Sequence, residues 1–140
     1  MFYELPLRDG EPSWTVMLDR GATTVWEHWN GVDADGRPRD SLNHYSKGAV
    51  IGFLHRYTAG IRIGTPGYRT FRIAPVPGGG ISRAEGWHES PYGRIGSVWR
   101  ISDGRLDLRV QVPAGTSAEV VLPTSVQVVG PGVHRFEHAY

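Results

Sequence analysis

The first part of the chain carries two stretches in which apolar residues recur at helical spacing. Trp14, Met17 and Leu18 share one face of a helix that we predict within residues 12–21. A second helix is predicted over Ser46–Ala59, because its apolar residues repeat every three or four positions and a glycine follows its end. Its apolar positions are Val50, Phe53, Leu54 and Tyr57. Residues 1 to about 61 are therefore predicted to be helical, with a long loop between the two helices.

From about residue 65 onward the apolar residues alternate with polar ones instead. The clearest case is a strand in which every second residue is apolar, at Leu106, Leu108, Val110 and Val112. Asp103-Gly104 just before it is a hairpin signal. Further short strands are predicted around Phe71 and Ile73, Ile95 to Trp99, Val120 to Leu122, Val126 to Val129 and Val133 to Phe136. Turn signals about every ten residues favour an antiparallel β-sandwich for this half.

Composition narrows the class of protein. With 39% hydrophobic residues and 21% charged residues, the chain is typical of a globular protein rather than a disordered one. Its formal net charge of +1 gives no reason to expect nucleic acid or an anionic membrane as a partner. No apolar stretch approaches the roughly 20 residues that span a bilayer, and we expect no signal peptide because the first ten residues contain no apolar run of signal-peptide length. Since the chain also has no cysteine, we expect a cytoplasmic protein.

The densest group of chemically useful side chains lies in residues 21–31. Here Glu27 is flanked by Trp26 and Trp29. Indole faces pack against the apolar faces of sugars, and a carboxylate beside them can polarise a water molecule or a hydroxyl. Taken alone, the spacing favours a plainer interpretation, in which both tryptophans are core residues and Glu27 is a solvated surface acid.

A second candidate segment lies just before the second predicted helix. Asn43 and His44 offer donors and acceptors suited to a polyhydroxylated ligand. The alternative is that Asn43 or Ser46 caps the helix while His44 packs on Tyr45. Without other information this alternative is favoured.

Several short blocks of the sequence, taken in order, resemble a known family, and this resemblance favours a functional role for both candidate segments. Together they resemble the C-terminal part of the bacterial α-L-rhamnosidases, glycoside hydrolase family 78, over nearly the whole chain. The blocks are Pro12-Ser13-Trp14, residues 21–29, Ser41-Leu42-Asn43-His44-Tyr45-Ser46, Gly48-Ala49-Val50, Tyr57, Ala59-Gly60-Ile61, Pro66-Gly67-Tyr68 and Pro91-Tyr92-Gly93. One departure is Lys47, which stands where the family usually has an apolar or aromatic residue.

The resemblance implies a mixed fold, in which the last helices of an (α/α)6 catalytic barrel, residues 1–61, precede a C-terminal antiparallel β-sandwich, residues 62–140. It also implies that Glu27 is the general base of an inverting hydrolysis of α-L-rhamnosyl linkages. His44 is similar to a histidine that contacts rhamnose, with Trp29, Trp26 and Asn43 as further candidate substrate-binding residues. The family's general acid lies upstream of the matched region, so this chain is expected to carry the base without the acid.

Two functions from different classes remain open. The first is a C-terminal fragment of an α-L-rhamnosidase, inactive alone, whose ligand is a rhamnosyl glycoside and which needs no cofactor. The second is a non-catalytic β-sandwich that binds carbohydrate or serves as a structural module. Two short helices enclose little core, so we expect self-association or pairing with the missing barrel through an apolar patch. The patch is predicted to comprise Trp14, Met17, Phe53 and Leu54.

Metal binding is not expected. His134 and His138 could share one face of a terminal strand, but only Glu137 is near as a third ligand. The segment Asp33-Ala34-Asp35-Gly36 resembles a calcium loop but lacks the third acidic position and the closing glutamate, so we interpret it as a turn.

Overall fold

A computed structural model describes residues 3–140 of the chain, which form two compact units that divide after Gly52. The first unit is helical and the second is built from β-strands. Among the described residues, no helix has both the length and the apolar character required to cross a membrane.

The helical part consists of short elements. They are α1 (Glu4–Leu7), α2 (Trp14–Asp19), α3 (Tyr45–Gly48), α4 (Val50–Phe53) and a π-helical segment (Leu54–Thr58). The first predicted helix is confirmed as α2, which begins where the Ser13 hydroxyl accepts a 3.0 Å hydrogen bond from the Thr15 amide. The second predicted helix is confirmed in place but is not continuous. It breaks at Ala49 and ends in the π-helical segment.

The predicted apolar patch is wrong at Met17, which is only 2% exposed. The loop between the helices supplies the cover that two isolated helices would lack, since Trp14 packs edge-on against Trp29 with 4.9 Å between ring centroids. The other three patch residues, Trp14, Phe53 and Leu54, are half-buried. The large apolar residues that are exposed in the first unit are Leu5, Leu7, Leu18, Tyr45 and Ile51. Self-association remains a prediction.

The second unit contains two four-stranded sheets, with strand orders β1-β2-β6-β7 and β3-β4-β5-β8. The strands are β1 (Ile61–Ile63), β2 (Thr70–Ile73), β3 (Arg83–Ser90), β4 (Gly93–Ser102), β5 (Arg105–Val112), β6 (Ser117–Leu122), β7 (Ser125–Val129) and β8 (Gly132–Ala139). The pairs are antiparallel except β2 with β6, which is parallel. The predicted short helical segment followed by a sandwich of two sheets is confirmed.

One apolar core holds the second unit together. Alternate residues of β5 are buried, as the alternation of apolar and polar residues predicted. The core cluster draws on both sheets and consists of Ile61, Phe71, Ile73, Ile95, Trp99, Leu106, Leu108, Val110, Val112, Ala118, Val120 and Leu122. Burying a Val, Leu, Ile or Phe side chain contributes about 1.5–3 kcal/mol each, so this cluster is the main source of the unit's stability.

Two buried side chains of β4 donate hydrogen bonds to the end of the helical stretch. The Trp99 indole N–H donates to the Thr58 carbonyl at 2.7 Å, and the Ser97 hydroxyl donates to the Ala59 carbonyl at 2.6 Å. Carbonyls at a helix end have no helical partner, and these two bonds give the Thr58 and Ala59 carbonyls hydrogen-bond donors. β1 then begins at Ile61. The domain boundary at residues 61 and 62 stays a prediction.

Candidate functional site

Backbone hydrogen bonds fold residues 25–44 into a hairpin-like loop. The Glu27 amide donates to the Ser41 carbonyl at 2.9 Å, and the His44 amide donates to the Val25 carbonyl at 2.7 Å. This pairing explains how two candidate segments that are far apart in sequence come together.

The tip of this hairpin is a side-chain-stabilised turn. One carboxylate oxygen of Asp33 accepts hydrogen bonds from the amides of Asp35, at 2.9 Å, and Arg37, at 2.8 Å. The prediction of a turn here is therefore confirmed. Among residues 3–140, no group of three or more His, Asp or Glu side chains is arranged to hold a metal ion.

Glu27 and His44 face each other at the base of the hairpin. Glu27 Oε1 lies 4.0 Å from His44 Nε2, and Glu27 Oε2 accepts a 3.2 Å hydrogen bond from the Ser41 amide. The Glu27 side chain is 38% exposed and the His44 side chain 28% exposed, so a ligand can reach both. A distance of 4.0 Å is longer than a hydrogen bond, which leaves both groups available to a third molecule.

The partners of His44 indicate which ring nitrogen carries its proton. The Ser46 amide, which can only donate, points to His44 Nδ1 at 3.4 Å, and the Ser46 hydroxyl lies 2.8 Å from the same nitrogen. Since Nδ1 accepts, the neutral ring carries its proton on Nε2, the nitrogen that faces Glu27. His44 therefore presents a hydrogen-bond donor beside a carboxylate acceptor. The ring also stacks on Tyr45, 5.1 Å away.

Lys47 connects the carboxylate segment to the tryptophans. Its ammonium donates to the Glu27 carbonyl and lies 4.7 Å from the centroid of the Trp29 ring. The Trp14 indole N–H donates to the Lys47 carbonyl at 3.1 Å. A cation over an indole gains from the ring's quadrupole, so Lys47 stabilises this position of the Trp29 ring.

The two tryptophans beside Glu27 have different environments. Trp26 is 5% exposed and is covered by Gly31, where an added Cβ would lie 2.6 Å from the indole. Trp29 is half-buried, with Lys47 over its ring. A sugar would therefore have more access to Trp29 than to Trp26.

Asn43 is exposed, and its backbone amide donates to the Ser41 hydroxyl at 3.2 Å. Its side chain thus lies at the surface, beside His44 in the chain.

Sequence reasoning did not anticipate the contacts made by Lys47 or by the Ser41 amide. A lysine at a position where an apolar or aromatic residue was expected is the signal that could have indicated the first of these.

Comparison with known proteins places the chain among glycoside hydrolases. The family model for the bacterial α-L-rhamnosidase six-hairpin glycosidase domain matches residues 1–58, and that for the bacterial α-L-rhamnosidase C-terminal domain matches residues 60–137. An α-L-rhamnosidase of Formosa agariphila is 37% identical over 128 residues, which cover 89% of this chain and 14% of that protein.

Two solved structures agree with these matches. The Streptomyces avermitilis α-L-rhamnosidase complexed with L-rhamnose has a TM-score of 0.85 at 32% identity, covering 97% of this chain and 16% of that one. The native α-L-rhamnosidase of Aspergillus terreus has a TM-score of 0.86 at 34% identity, covering 94% of this chain and 16% of that one. The chain belongs to the bacterial α-L-rhamnosidase family. It spans about 14% of the length of the curated relatives it matches.

Proposed function

We propose that this chain forms the C-terminal part of an inverting α-L-rhamnosidase and that Glu27 is the general base of the reaction. The observation that carries the proposal is the pairing of Glu27 Oε1 with His44 Nε2 at 4.0 Å on a partly exposed hairpin. The relative solved with L-rhamnose supports a rhamnosyl glycoside as the ligand class.

The proposed chemistry follows from the two oxygens of one carboxylate. Oε2 is held by the Ser41 amide, so Oε1 is directed toward solvent and His44 and can accept a proton from water. That water attacks the anomeric carbon on the face opposite the departing group, which inverts the configuration. Inversion requires a second carboxyl group, protonated and roughly 6.5–9.5 Å away. We infer that another part of the enzyme supplies it.

The neighbouring residues have separate roles in this proposal. His44 donates from Nε2 to a sugar hydroxyl, and Asn43 adds a polar contact at the rim. Trp29, which is half-buried, packs against the sugar. Because Trp26 is buried, its contribution to binding is to keep the hairpin, and hence Glu27, in place.

A chimera tests the role of Glu27. Residues of the Streptomyces avermitilis enzyme that align with this chain would be replaced by it, and hydrolysis of an aryl α-L-rhamnoside measured. We expect Glu27→Gln to lower kcat by about 10²–10⁴-fold with little change in KM, because general base catalysis contributes about that much. Asp35→Asn, which removes an exposed carboxylate from the same hairpin, is the matched control and should leave kcat unchanged.

The same chimera allows a stereochemical measurement. Proton NMR of the sugar first released should show the inverted anomer. Retention of configuration, or an active Glu27→Gln chimera, would contradict the assignment of Glu27 as the base.

The second candidate is a non-catalytic carbohydrate-binding or structural module. It is favoured by the independent core cluster of the unit formed by residues 53–140. For the purified chain alone we expect no detectable hydrolysis of an aryl rhamnoside. Turnover that Glu27→Gln abolishes would show that the chain holds a complete catalytic pair, which contradicts the proposal that the acid lies elsewhere.

A further inference from the structure

The outward face of the β3-β4-β5-β8 sheet places arginines directly opposite each other. Arg83 on β3 faces Arg100 on β4, and Arg109 on β5 faces Arg135 on β8. Opposed residues of antiparallel strands have Cβ atoms roughly 5 Å apart, and like charges in that arrangement are destabilising. Two such pairs lower the stability of the sheet locally. Features that lower stability in this way are concentrated at functional positions.

These four arginines are also unpaired within the described part of the chain. None makes a salt bridge there, although the same face holds two ion pairs, Arg94 with Glu89 and Arg105 with Glu137. The nearest carboxylates on this face are Asp107, two residues before Arg109, and Glu137, two residues after Arg135, and these two face each other across β5 and β8. Asp107 also faces Arg100 on β4, and Glu137 is the ion-pair partner of Arg105. The face therefore presents a row of two cationic groups next to a row of two anionic groups.

An open cleft of about 350 Å³ lies where these rows meet. Its charged lining consists of Arg100, Asp107, Arg109, Arg135 and Glu137, and its apolar lining includes Val98 and Phe136. A cleft of this size accommodates a ligand on the scale of one or two sugar rings. The mixture of charges disfavours a polymer with dense negative charge, such as nucleic acid, and favours a ligand with a single carboxylate among hydroxyl groups.

A solvent-exposed indole lies on the same face beside the cleft. Trp87 on β3 is 53% exposed and is paired in register with Gly96, while the Arg94 guanidinium lies 5.6 Å from the centroid of its ring. Gly96 is two residues before Val98 on β4, which puts the indole roughly 7 Å from the cleft along the strand. Exposed aromatic rings beside polar groups are suited to the apolar faces of sugar rings.

We propose that this face is a second carbohydrate-binding site, specific for oligosaccharides that contain uronic acids. One uronate carboxylate is held between the guanidinium groups of Arg109 and Arg135, which match carboxylate geometry with paired hydrogen bonds. The carboxylates of Asp107 and Glu137 accept hydrogen bonds from neighbouring sugar hydroxyls, and a further ring packs on Trp87. The site lies wholly in the unit formed by residues 53–140, so it does not depend on the role of Glu27.

Calorimetric titration of the full chain with an aldotetraouronic acid, a tetrasaccharide that carries one glucuronate, tests the proposal. We expect saturable binding, with affinity reduced about tenfold by Arg109→Gln or Arg135→Gln, since each removes a charge-assisted hydrogen bond. Trp87→Ala should also weaken binding. Arg69→Gln is the charge-matched control, because Arg69 is exposed and lies outside this sheet. It and Glu27→Gln should bind as the wild type does.

Two further ligands and one stability measurement separate the outcomes. The methyl ester of the same tetrasaccharide should bind at least tenfold more weakly, because its carboxylate is neutralised. Equal binding of the ester, equal binding of a sulfated dextran oligosaccharide, or no binding of the aldotetraouronic acid would each overturn the proposal. Without ligand, Arg135→Gln should unfold at the same or a higher temperature than the wild type. A clear decrease would mean that the arginine pair is structural, which also overturns it.

Discussion

The hydrogen bond from Ser97 to the Ala59 carbonyl gives the sharpest prediction about stability. Ser97 is 0% exposed, and its hydroxyl is 2.6 Å from the carbonyl oxygen of Ala59, which is itself buried. Ser97→Ala removes the donor but keeps nearly the same shape, so the main effect is a buried carbonyl that has lost this hydrogen bond. Such a group costs about 1–3 kcal/mol.

Part of this loss of stability is offset, because the variant no longer buries a hydroxyl group. We therefore expect Ser97→Ala to lower the free energy of unfolding of the 53–140 unit by about 1–2 kcal/mol. For a unit of this size, each kcal/mol corresponds to a decrease in melting temperature of roughly 4–8 °C.

Urea denaturation followed by amide NMR signals of β4 and β5 is the suitable assay, because it reports on this unit separately from the helical one. Ser102→Ala is the matched control. It lies on the same strand, is only partly buried, and its side chain makes no hydrogen bond within the described residues. The control should stay within about 0.5 kcal/mol of the wild type. If Ser97→Ala did so as well, the bond would not secure the helix end to the sheet.

Two other substitutions test single contacts. Gly86→Ala would place a Cβ 2.6 Å from the Cβ of Ala59, so we expect a loss of about 1–3 kcal/mol in the same denaturation assay; unchanged stability would mean that β3 can shift at no cost. Asp33→Ala removes the acceptor for the amides of Asp35 and Arg37, so these two amides should exchange hydrogen faster in the variant. Unaltered exchange would show that the backbone alone maintains the turn.

Some strands could be predicted from the sequence and others could not, and the difference lies in the residues at their inward positions. In β5 the buried positions are all large and apolar, so the alternation is visible. In β3 the inward, partly buried positions are Ala84, Gly86, His88 and Ser90. Small and polar residues give no hydrophobic period. At Gly86 a side chain would collide with the side chain of Ala59, so the close packing favours glycine there. β1 has only three residues, too few for a pattern.

The sequence indicated the residues of the candidate site but not that they lie close together. Residue chemistry and family resemblance singled out Glu27 and His44 separately, but their 4.0 Å approach results from the hairpin pairing of residues 25–44. Side-chain type also could not distinguish Trp26 from Trp29. Their different exposure arises from Gly31, which packs on Trp26, and from Lys47, which lies over Trp29.

By itself the sequence determined the change from helical to alternating pattern, the strands of the core and the residue types available for sugar chemistry. These properties are local, since they depend on the spacing and side chain of each residue along the chain. Only the tertiary structure decided the parallel pairing of β2 with β6, the contact of Lys47 with Glu27, and the facing arginines of β5 and β8. Each of these joins positions that are distant in sequence, and their approach is set by packing and strand register rather than by any local pattern.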